Sequence, residues 1–148
     1  MDKQSKNGLL EQEKLQGELD FLRKKFVEPG QFITTHTNSP NMKKLYQQVQ
    51  RVSETNSNIY ISGETGTGKS LLAKLIHQNS PRKKHPFIGL HCGAIPDALL
   101  ESELFGYEKG AFTDAQAAKP GKFELANKGT IFLDEVGTMP MVAQGQRI

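Results

Sequence analysis

The feature that most constrains this chain is the run Gly63 to Ser70, which reads Gly-Glu-Thr-Gly-Thr-Gly-Lys-Ser. It matches the phosphate-loop pattern, a glycine followed by four free positions and then Gly-Lys-Ser or Gly-Lys-Thr, at every fixed position. Glycines let the backbone wrap closely around phosphate oxygens, so that main-chain N–H groups can donate to them. A β-prone segment, Ile59-Tyr60-Ile61, precedes the run and a helical pattern follows it. This context favours a nucleotide site over a glycine-rich turn that matches by chance.

The pattern also assigns roles to individual residues. Lys69 is expected to reach the β and γ phosphates, and the Ser70 hydroxyl is expected to ligate Mg²⁺. The amino end of the helix that follows adds roughly half a positive charge directed at the same anion. The predicted nucleotide-binding residues are Gly63, Glu64, Thr65, Gly66, Thr67, Gly68, Lys69 and Ser70.

A pair of carboxylates after another apolar segment could supply the second half of a nucleotide-hydrolysing site. Thr130 to Leu133 is an apolar strand candidate, and Asp134 and Glu135 follow it directly. Such a site needs a carboxylate for the metal and a group that orients water. We assign Asp134 to hold Mg²⁺ through water and Glu135 to polarise the attacking water, as the catalytic pair. A solvated strand end looks the same, so this assignment depends on the phosphate loop upstream.

Strand and helix patterns alternate along the chain, which predicts an α/β fold with a parallel sheet. One amphipathic helix is expected from Asn41 to about Val52, and another begins after the phosphate loop. A third helix is expected to start at Pro96, in its first turn. Residues 106–122 are rich in Gly, Ala and Lys and predict a loop. The strand candidates are Ile59 to Ser62, Phe87 to Cys92 and Thr130 to Leu133, and the apolar positions of the second helix are Leu71, Leu72, Leu75 and Ile76.

The amino-terminal segment, residues 8–26, predicts a helix of low hydrophobicity that ends before Pro29-Gly30. Its apolar residues fall on one stripe, which suits a short coiled coil. A linker helix resting on its own domain fits the same pattern, and both interpretations stay open. We therefore divide the chain into a linker region, residues 1–30, and a globular domain, residues 31–148. The stripe consists of Leu15, Leu19, Leu22 and Phe26.

Bulk composition excludes several classes of protein. Hydrophobic residues make up 36% of the chain and charged residues 24%, a mixture typical of a soluble globular protein. No apolar run approaches the ~20 residues that a membrane helix needs, so we expect no membrane partner. One cysteine, Cys92, excludes an internal disulfide and suits a reducing cytoplasm. A net charge of +3 is too small to indicate nucleic-acid binding. The predicted location is the cytoplasm.

Other chemistry-bearing residues favour plain structural roles. The four histidines, at positions 36, 77, 85 and 91, lack metal-ligand spacing, so a metal site of their own is not expected. Cys92 fits a small buried residue better than a nucleophile. The basic run Arg82-Lys83-Lys84-His85 fits a solvated loop better than a phosphate contact.

Further motifs resemble the central AAA+ domain of the sigma-54-dependent transcription activators, the bacterial enhancer-binding proteins. The resemblance covers roughly residues 31–140, and its most specific block is Glu101 to Thr113, which other AAA+ families lack. This block disfavours an unrelated motor such as a helicase loader. The matching runs are Gly63 to Ser70, Ser80-Pro81-Arg82, Pro86-Phe87-Ile88, Glu101 to Gly106, Glu108 to Thr113, and Gly129 to Glu135 with Met139-Pro140.

The resemblance implies a three-layer αβα domain that binds ATP and Mg²⁺ and hydrolyses ATP in a homo-hexameric ring. It implies that a surface loop of the pattern Gly-Ala-Phe-Thr-Gly-Ala presses on sigma-54 RNA polymerase during hydrolysis. Here Phe112 and Thr113 would form the contacting tip. An exposed Phe is costly to display in water and implies a partner surface, although a single Phe in a loop also fits one tucked onto the core. The loop residues are Gly110, Ala111, Phe112, Thr113, Asp114 and Ala115.

This sequence departs from the family pattern at four places. Asp114 stands where the family has glycine, and it adds a negative charge and a Cβ atom to the loop. His91 stands where the family has an asparagine that restrains the catalytic glutamate, which makes His91 the expected switch residue. Ser70 replaces the family's acidic residue after the lysine. Thr35-His36-Thr37 replaces an Ile-Ile-Gly stretch near adenine, which implies weaker contact with the base.

The resemblance also implies a sheet order of 5-1-4-3-2, of which this chain supplies strands one, two and three. Strands four and five, the sensor residues, arginine fingers, helical lid and DNA-binding domain would lie beyond Ile148. Residues 141–148 match the expected next helix weakly. Two strand edges would be left unpaired, and we expect the chain alone not to hydrolyse ATP usefully or to contact DNA. Two alternatives stay open: a regulator that no longer engages sigma-54, as Asp114 permits, and a non-catalytic fragment that binds nucleotide.

Overall fold

The computed structural model describes residues 12–20 and 37–139. Residues 12–20 are helical and are named α1. The remaining helices are α2 (Pro40–Ser53), α3 (Lys69–Gln78), α4 (Asp97–Phe105) and α5 (Lys122–Leu125), with 3-10 turns at Cys92–Ala94 and Val136–Thr138. The strands are β1 (Phe87–His91), β2 (Gly106–Tyr107), β3 (Lys119–Pro120) and β4 (Thr130–Asp134).

The centre of the fold is the parallel pair β1–β4, which runs in register from Phe87 opposite Thr130 to His91 opposite Asp134. Successive side chains of a strand point to opposite faces. Ile88 packs against α5, and Leu90 packs against α4 on the same face. On the other face, the ring of Phe87 lies 5.3 Å from the ring of His77 in α3. Helices therefore cover both faces of the strand pair, which confirms the αβα class with an incomplete sheet.

Two apolar clusters stabilise this arrangement. The larger one joins the end of β1 to α4 and to Met139, and the smaller one joins the middle of β1 to α5. Burial of such side chains is the main favourable contribution to folding. The first cluster contains Leu90, Cys92, Leu100, Leu104 and Met139; the second contains Ile88, Leu125 and Ala126, with Leu19 of α1 and Ile131 packed against it.

The expected strand from Ile59 to Ser62 is wrong for the described structure. Within residues 37–139 this segment joins no sheet, and only the pairs β1–β4 and β2–β3 form. Its apolar side chains stay accessible, with Tyr60 81% exposed. A strand exists through hydrogen bonds to a neighbour, and no described segment forms such a ladder with Ile59 to Ser62. A β-prone composition was therefore not sufficient here.

Smaller differences have local causes. The helix expected from Asn41 to about Val52 is α2, and Pro40 occupies its first turn. Pro96 is the N-cap residue of α4 and not part of its first turn. Residues 106–122 are not all loop, because β2 pairs with β3 and α5 begins at Lys122. In α3 the fully buried positions are Ala73 and His77, one turn apart, whereas Leu71 is half exposed.

The amino-terminal helix bears on the two interpretations left open above. Leu19 is partly buried and packs against the cluster of Ile88, Leu125 and Ala126. Leu15, one turn earlier, is 52% exposed. This contact favours a helix that rests on its own domain, while Leu22 and Phe26 lie outside the described residues. No helix in the described ranges has the length and apolarity to cross a bilayer.

Candidate functional site

The phosphate loop adopts a conformation that depends on its glycines. Gly66 has φ +80° and Gly68 has φ +92°, values that residues with a Cβ atom rarely adopt. Gly68 is the N-cap of α3, and no side chain caps this helix end. The first N–H groups of a helix lack partners inside the helix, so an anion can accept from them. The phosphate loop therefore ends at the amino terminus of α3, whose first N–H groups have no side-chain cap.

Lys69, the first residue of α3, lies folded over the loop. Its Nζ donates to the carbonyl oxygens of Gly63, at 3.0 Å, and of Glu64, at 2.7 Å. The Thr67 hydroxyl donates to the same Glu64 carbonyl at 2.7 Å. The ammonium group is therefore held by backbone oxygens, which a phosphate could replace because it is an anionic acceptor.

The two carboxylates lie at the carboxyl end of β4. Asp134 is the last residue of the strand, and Glu135 follows with φ 55° in the left-handed region. The Glu135 N–H donates to Asp134 Oδ1 at 3.0 Å, and the Thr138 hydroxyl donates to the Glu135 carbonyl at 2.7 Å. Left-handed backbone at a residue other than glycine is uncommon and often marks functional positions. These bonds hold the turn that directs the Glu135 side chain.

The fold brings both halves of the predicted site around one cavity of ≈ 510 Å³. Gly63, Thr65 and Lys69 of the phosphate loop line it together with Asp134 and Glu135. Ser70 sits exposed in the first turn of α3 and is not among the lining residues. Open α/β sheets bind ligands at the carboxyl ends of their strands. The cavity is therefore where a nucleotide with its metal would be expected.

The expected switch residue, His91, lies between the two carboxylates. Its Nδ1 is 3.5 Å from Asp134 Oδ2 and its Nε2 is 3.6 Å from Glu135 Oε2. These separations are longer than ordinary hydrogen bonds. The position follows from strand register, because His91 is the direct partner of Asp134 across β1–β4. A neutral imidazole has a single N–H donor, so it can donate to one carboxylate at a time.

Two residues next to His91 complete its surroundings. Cys92 is buried, as expected for a small core residue. Burial raises the pKa of its thiol, and the Asp134 and Glu135 charges raise it further, against a lowering by its backbone hydrogen bond. Gly93 was not singled out from the sequence. A Cβ atom there would overlap the Glu135 carboxylate, so only glycine leaves that carboxylate its present place.

The predicted partner loop is a hairpin that its own backbone hydrogen bonds close. The Gly110 N–H donates to the Ala115 carbonyl at 2.9 Å, and the Ala115 N–H donates to the Phe112 carbonyl at 3.0 Å. Ala115 is buried while Ala111, Phe112, Thr113 and Asp114 are exposed. At the base of the hairpin, the two residue pairs Gly106–Pro120 and Tyr107–Lys119 of the β2–β3 ladder form the stem. The four exposed residues therefore form a folded tip on a short stem.

The tip residue Phe112 is neither fully displayed nor tucked onto the core. It is 47% exposed. Its ring meets the ring of Tyr107 at 4.8 Å between centroids and 63° between planes, an edge-to-face contact. Asp114 has no positive φ, so the backbone at this position does not require glycine. The difference that Asp114 makes to the loop is therefore its charge.

Among the described residues, no group of three or more His, Cys, Asp or Glu side chains could hold a metal ion by itself. The Mg²⁺ donors predicted from the sequence are the Ser70 hydroxyl and the Asp134 carboxylate, and of these two Asp134 lines the cavity. Mg²⁺ binds sites of this kind together with phosphate oxygens and water. The residues present thus fit a metal that arrives with a nucleotide.

A family model described as the sigma-54 interaction domain matches residues 35–147. The chain belongs to this family. The match takes in the phosphate loop, the carboxylate pair and the hairpin tip. The resemblance inferred from the motifs is therefore confirmed.

Curated relatives agree with this assignment. The regulatory protein AtoC of Escherichia coli K12 is 53% identical over 110 residues, which are 74% of this chain and 24% of AtoC. The Nif-specific regulatory protein of Azospirillum lipoferum is 59% identical over 99 residues, 67% of this chain and 16% of that regulator. The chain thus spans about a quarter or less of the length of these two relatives.

Solved structures give the same fold. NtrX from Brucella abortus in complex with ATP matches with a TM-score of 0.63 and 36% identity, covering 91% of this chain and 28% of NtrX. Its complex with ADP matches with a TM-score of 0.67 and 35% identity, covering 95% of this chain and 27% of NtrX. Identity at this level over nearly the whole chain supports the αβα assignment of the fold.

Proposed function

We propose that this sigma-54 interaction domain binds ATP with Mg²⁺ in the cavity between the phosphate loop and the end of β4. The observation that carries the proposal is that one cavity is lined both by Gly63, Thr65 and Lys69 and by Asp134 and Glu135. The solved complex of NtrX with ATP, in a domain 36% identical, supports the choice of nucleotide. Phosphate binding and water activation would then take place within one enclosure.

In this proposal each residue has a physical task. The backbone of Gly63, Glu64, Thr65, Gly66, Thr67 and Gly68 surrounds the phosphates, and the uncapped end of α3 adds its dipole. Lys69 exchanges its two carbonyl acceptors for phosphate oxygens. Ser70 and Asp134 hold the Mg²⁺, which neutralises phosphate charge when bound. Glu135 orients the water molecule that attacks.

His91 is proposed to control where the Glu135 carboxylate points. It stands 3.6 Å from Glu135 Oε2 and 3.5 Å from Asp134 Oδ2. A single imidazole donor shared between two carboxylates can restrain either one. While His91 holds the Glu135 carboxylate, that carboxylate is turned away from the attacking water. Hydrolysis would then depend on whether His91 holds or releases Glu135.

For the regulator as a whole, we propose hydrolysis in a homo-oligomeric ring that remodels sigma-54 RNA polymerase through the hairpin tip. The loop that carries this tip is Gly110, Ala111, Phe112, Thr113, Asp114 and Ala115, and Phe112 and Thr113 make the contact. Polymerase acts on the bacterial chromosome, so this function lies in the cytoplasm. DNA contact is assigned to a separate domain of the regulator, as the modest charge of +3 suggests.

A second candidate rests on Asp114, which is an exposed residue of the tip. Its negative charge could repel sigma-54 and leave a regulator that acts on polymerase in another way. A reporter that requires sigma-54 separates the two candidates, with Asp114→Gly tested beside the natural sequence. Activity of the natural sequence supports sigma-54 contact, whereas activity of Asp114→Gly alone supports the second candidate.

The nucleotide proposal is tested by equilibrium binding of a fluorescent ATP analogue in the presence of Mg²⁺. Lys69→Ala is expected to weaken binding at least about a hundredfold, because a charge-assisted contact to phosphate is lost. Lys83→Ala is the matched control, since Lys83 is exposed in a loop and does not line the cavity. Equal affinity of Lys69→Ala and the natural chain would contradict the proposal.

Hydrolysis is tested separately with a steady-state assay of phosphate release. The isolated chain is expected to bind without turnover, because the proposal assigns hydrolysis to the ring. In the regulator, Glu135→Gln is expected to abolish turnover and to leave ATP binding within about twofold. Clear turnover by the isolated chain would remove the ring requirement. Normal turnover by Glu135→Gln would remove Glu135 from its catalytic role.

A further inference from the structure

The hairpin that carries the predicted tip is fastened to the domain at its base. Gly106 has φ +76°, and a Cβ atom there would overlap the backbone of Lys119 and Gly121. Lys119 forms an ion pair with Glu103 of α4. The stem residues Gly106 and Tyr107 therefore continue directly from the end of α4 and are held against the returning strand β3.

The tip itself is folded by its own backbone. Hydrogen bonds join Gly110 to Ala115, Ala115 to Phe112, and Ala111 to Glu108. These bonds fix the path of the main chain and do not involve the Phe112 side chain. The Phe112 ring makes an edge-to-face contact with the Tyr107 ring, at 4.8 Å between centroids.

Tyr107 is well placed to restrain the ring because it belongs to the stem. It is half-buried, and its backbone pairs with Lys119 in the β2–β3 ladder. Its ring covers part of Phe112 while 47% of the Phe112 surface stays accessible. The phenol therefore connects the exposed tip to the part of the hairpin that is fastened to α4.

We propose that Tyr107 is a positioning residue for Phe112: its ring holds the Phe112 ring in the orientation in which the tip meets its protein partner. The part that concerns the partner rests on the proposed function, with sigma-54 as that partner. Without the Tyr107 ring, Phe112 samples several rotamers, and the partner has to select the competent one. An edge-to-face pair of this kind changes such a population by about two- to tenfold.

The orientation is tested first without any partner. The chain contains no tryptophan, so Phe112→Trp places a single fluorescent reporter at the tip. In that background Tyr107→Ala is expected to shift the emission to longer wavelength and to raise quenching by acrylamide about two- to tenfold. Tyr107→Phe should keep the parent values because it keeps the ring. Tyr46→Ala, at another half-buried tyrosine in α2, is the control.

Tyr107→Leu keeps apolar volume without an aromatic ring, and it replaces Tyr107→Ala if that variant does not fold. Thermal unfolding monitored by circular dichroism identifies a variant that has lost its fold. Emission and quenching that are the same with Tyr, Phe and the folded ring-less variant would overturn the proposal. A change that only the ring-less variants show supports it.

The partner is tested next, with natural Phe112 in the regulator and purified sigma-54. Tyr107→Ala is expected to weaken sigma-54 binding about two- to tenfold, to leave ATP affinity unchanged, and to be rescued by Tyr107→Phe. Undiminished sigma-54 binding by Tyr107→Ala would overturn the positioning role toward this partner. Absence of sigma-54 binding by the parent would overturn the proposed function, and the tryptophan reporter would still decide whether Tyr107 orients Phe112.

Discussion

The sequence predicts two apolar segments to be strands, but only one of them is a strand in the structure. Thr130–Asp134 becomes β4 and pairs along its whole length with β1, whereas Ile59 to Ser62 joins no sheet in the described structure. Each leads directly into one half of the proposed nucleotide site. The carboxylate half therefore sits on a paired strand, and the phosphate-loop half is held mainly by α3, which contacts β1 and β4.

This difference shows that a β-prone segment becomes a strand only where a second strand pairs with it. β-branched and aromatic residues suit a pleated surface, but the stabilisation comes from cross-strand hydrogen bonds and side-chain pairs. The phosphate loop can keep its conformation without a paired strand before it, since its glycines and the start of α3 define it locally. We therefore expect the paired half to be the more stable part of the site.

The comparison is tested most directly by matched truncations in the two segments. Ile88→Ala in β1 is expected to lower the free energy of unfolding by about 2–5 kcal/mol, because Ile88 is 2% exposed and lies in a packed cluster. Ile59→Ala should cost about 1 kcal/mol or less, since Ile59 is 41% exposed. Urea unfolding curves measure both values. Equal costs would mean that Ile59 to Ser62 is packed as firmly as β1.

A smaller effect is expected where α3 is joined to the paired half. His77 is buried, and its Nδ1 lies 2.9 Å from the Thr130 hydroxyl at the start of β4. Thr130→Val removes this partly buried hydrogen bond. It should lower the free energy of unfolding, measured in urea, by about 1–2 kcal/mol. Thr55→Val is the control, because the Thr55 hydroxyl donates to the Val52 carbonyl and accepts from the Ser57 N–H at an exposed place. A loss no larger than that of the control would show that this bond does not secure α3.

The smallest effect concerns pH and Cys92, next to the end of β1. Burial raises the pKa of this thiol in the folded state. Its contribution to stability is therefore complete below the pKa of the unfolded thiol, about 8.5, and is lost as pH rises toward the folded value. Between about pH 7 and about pH 9.5 the natural chain should therefore lose more stability than Cys92→Ala does. An identical pH dependence for both chains would contradict the burial of the thiol.

Much of the site could be predicted because its residues are adjacent in the chain. The phosphate loop is one run of residues, and Asp134-Glu135 is a dipeptide after an apolar segment. Both runs line one cavity, but the phosphate loop reaches it through α3, which contacts β1 and β4, and not through the strand expected from Ile59 to Ser62. Gly93 could not be found in this way. Its importance depends on where the Glu135 carboxylate lies, and no spacing encodes that.

The sequence alone determined the proposed phosphate loop, the carboxylates, the αβα class and the family of the domain, because short runs of residue types carry these features. Only the tertiary structure decided which segments pair, that α3 buries Ala73 and His77, that His91 lies between two carboxylates, and that Tyr107 meets Phe112. These depend on register and packing between segments distant in the chain or folded back by a hairpin. A local pattern states what a residue can do, and its neighbours in the fold decide whether it does so.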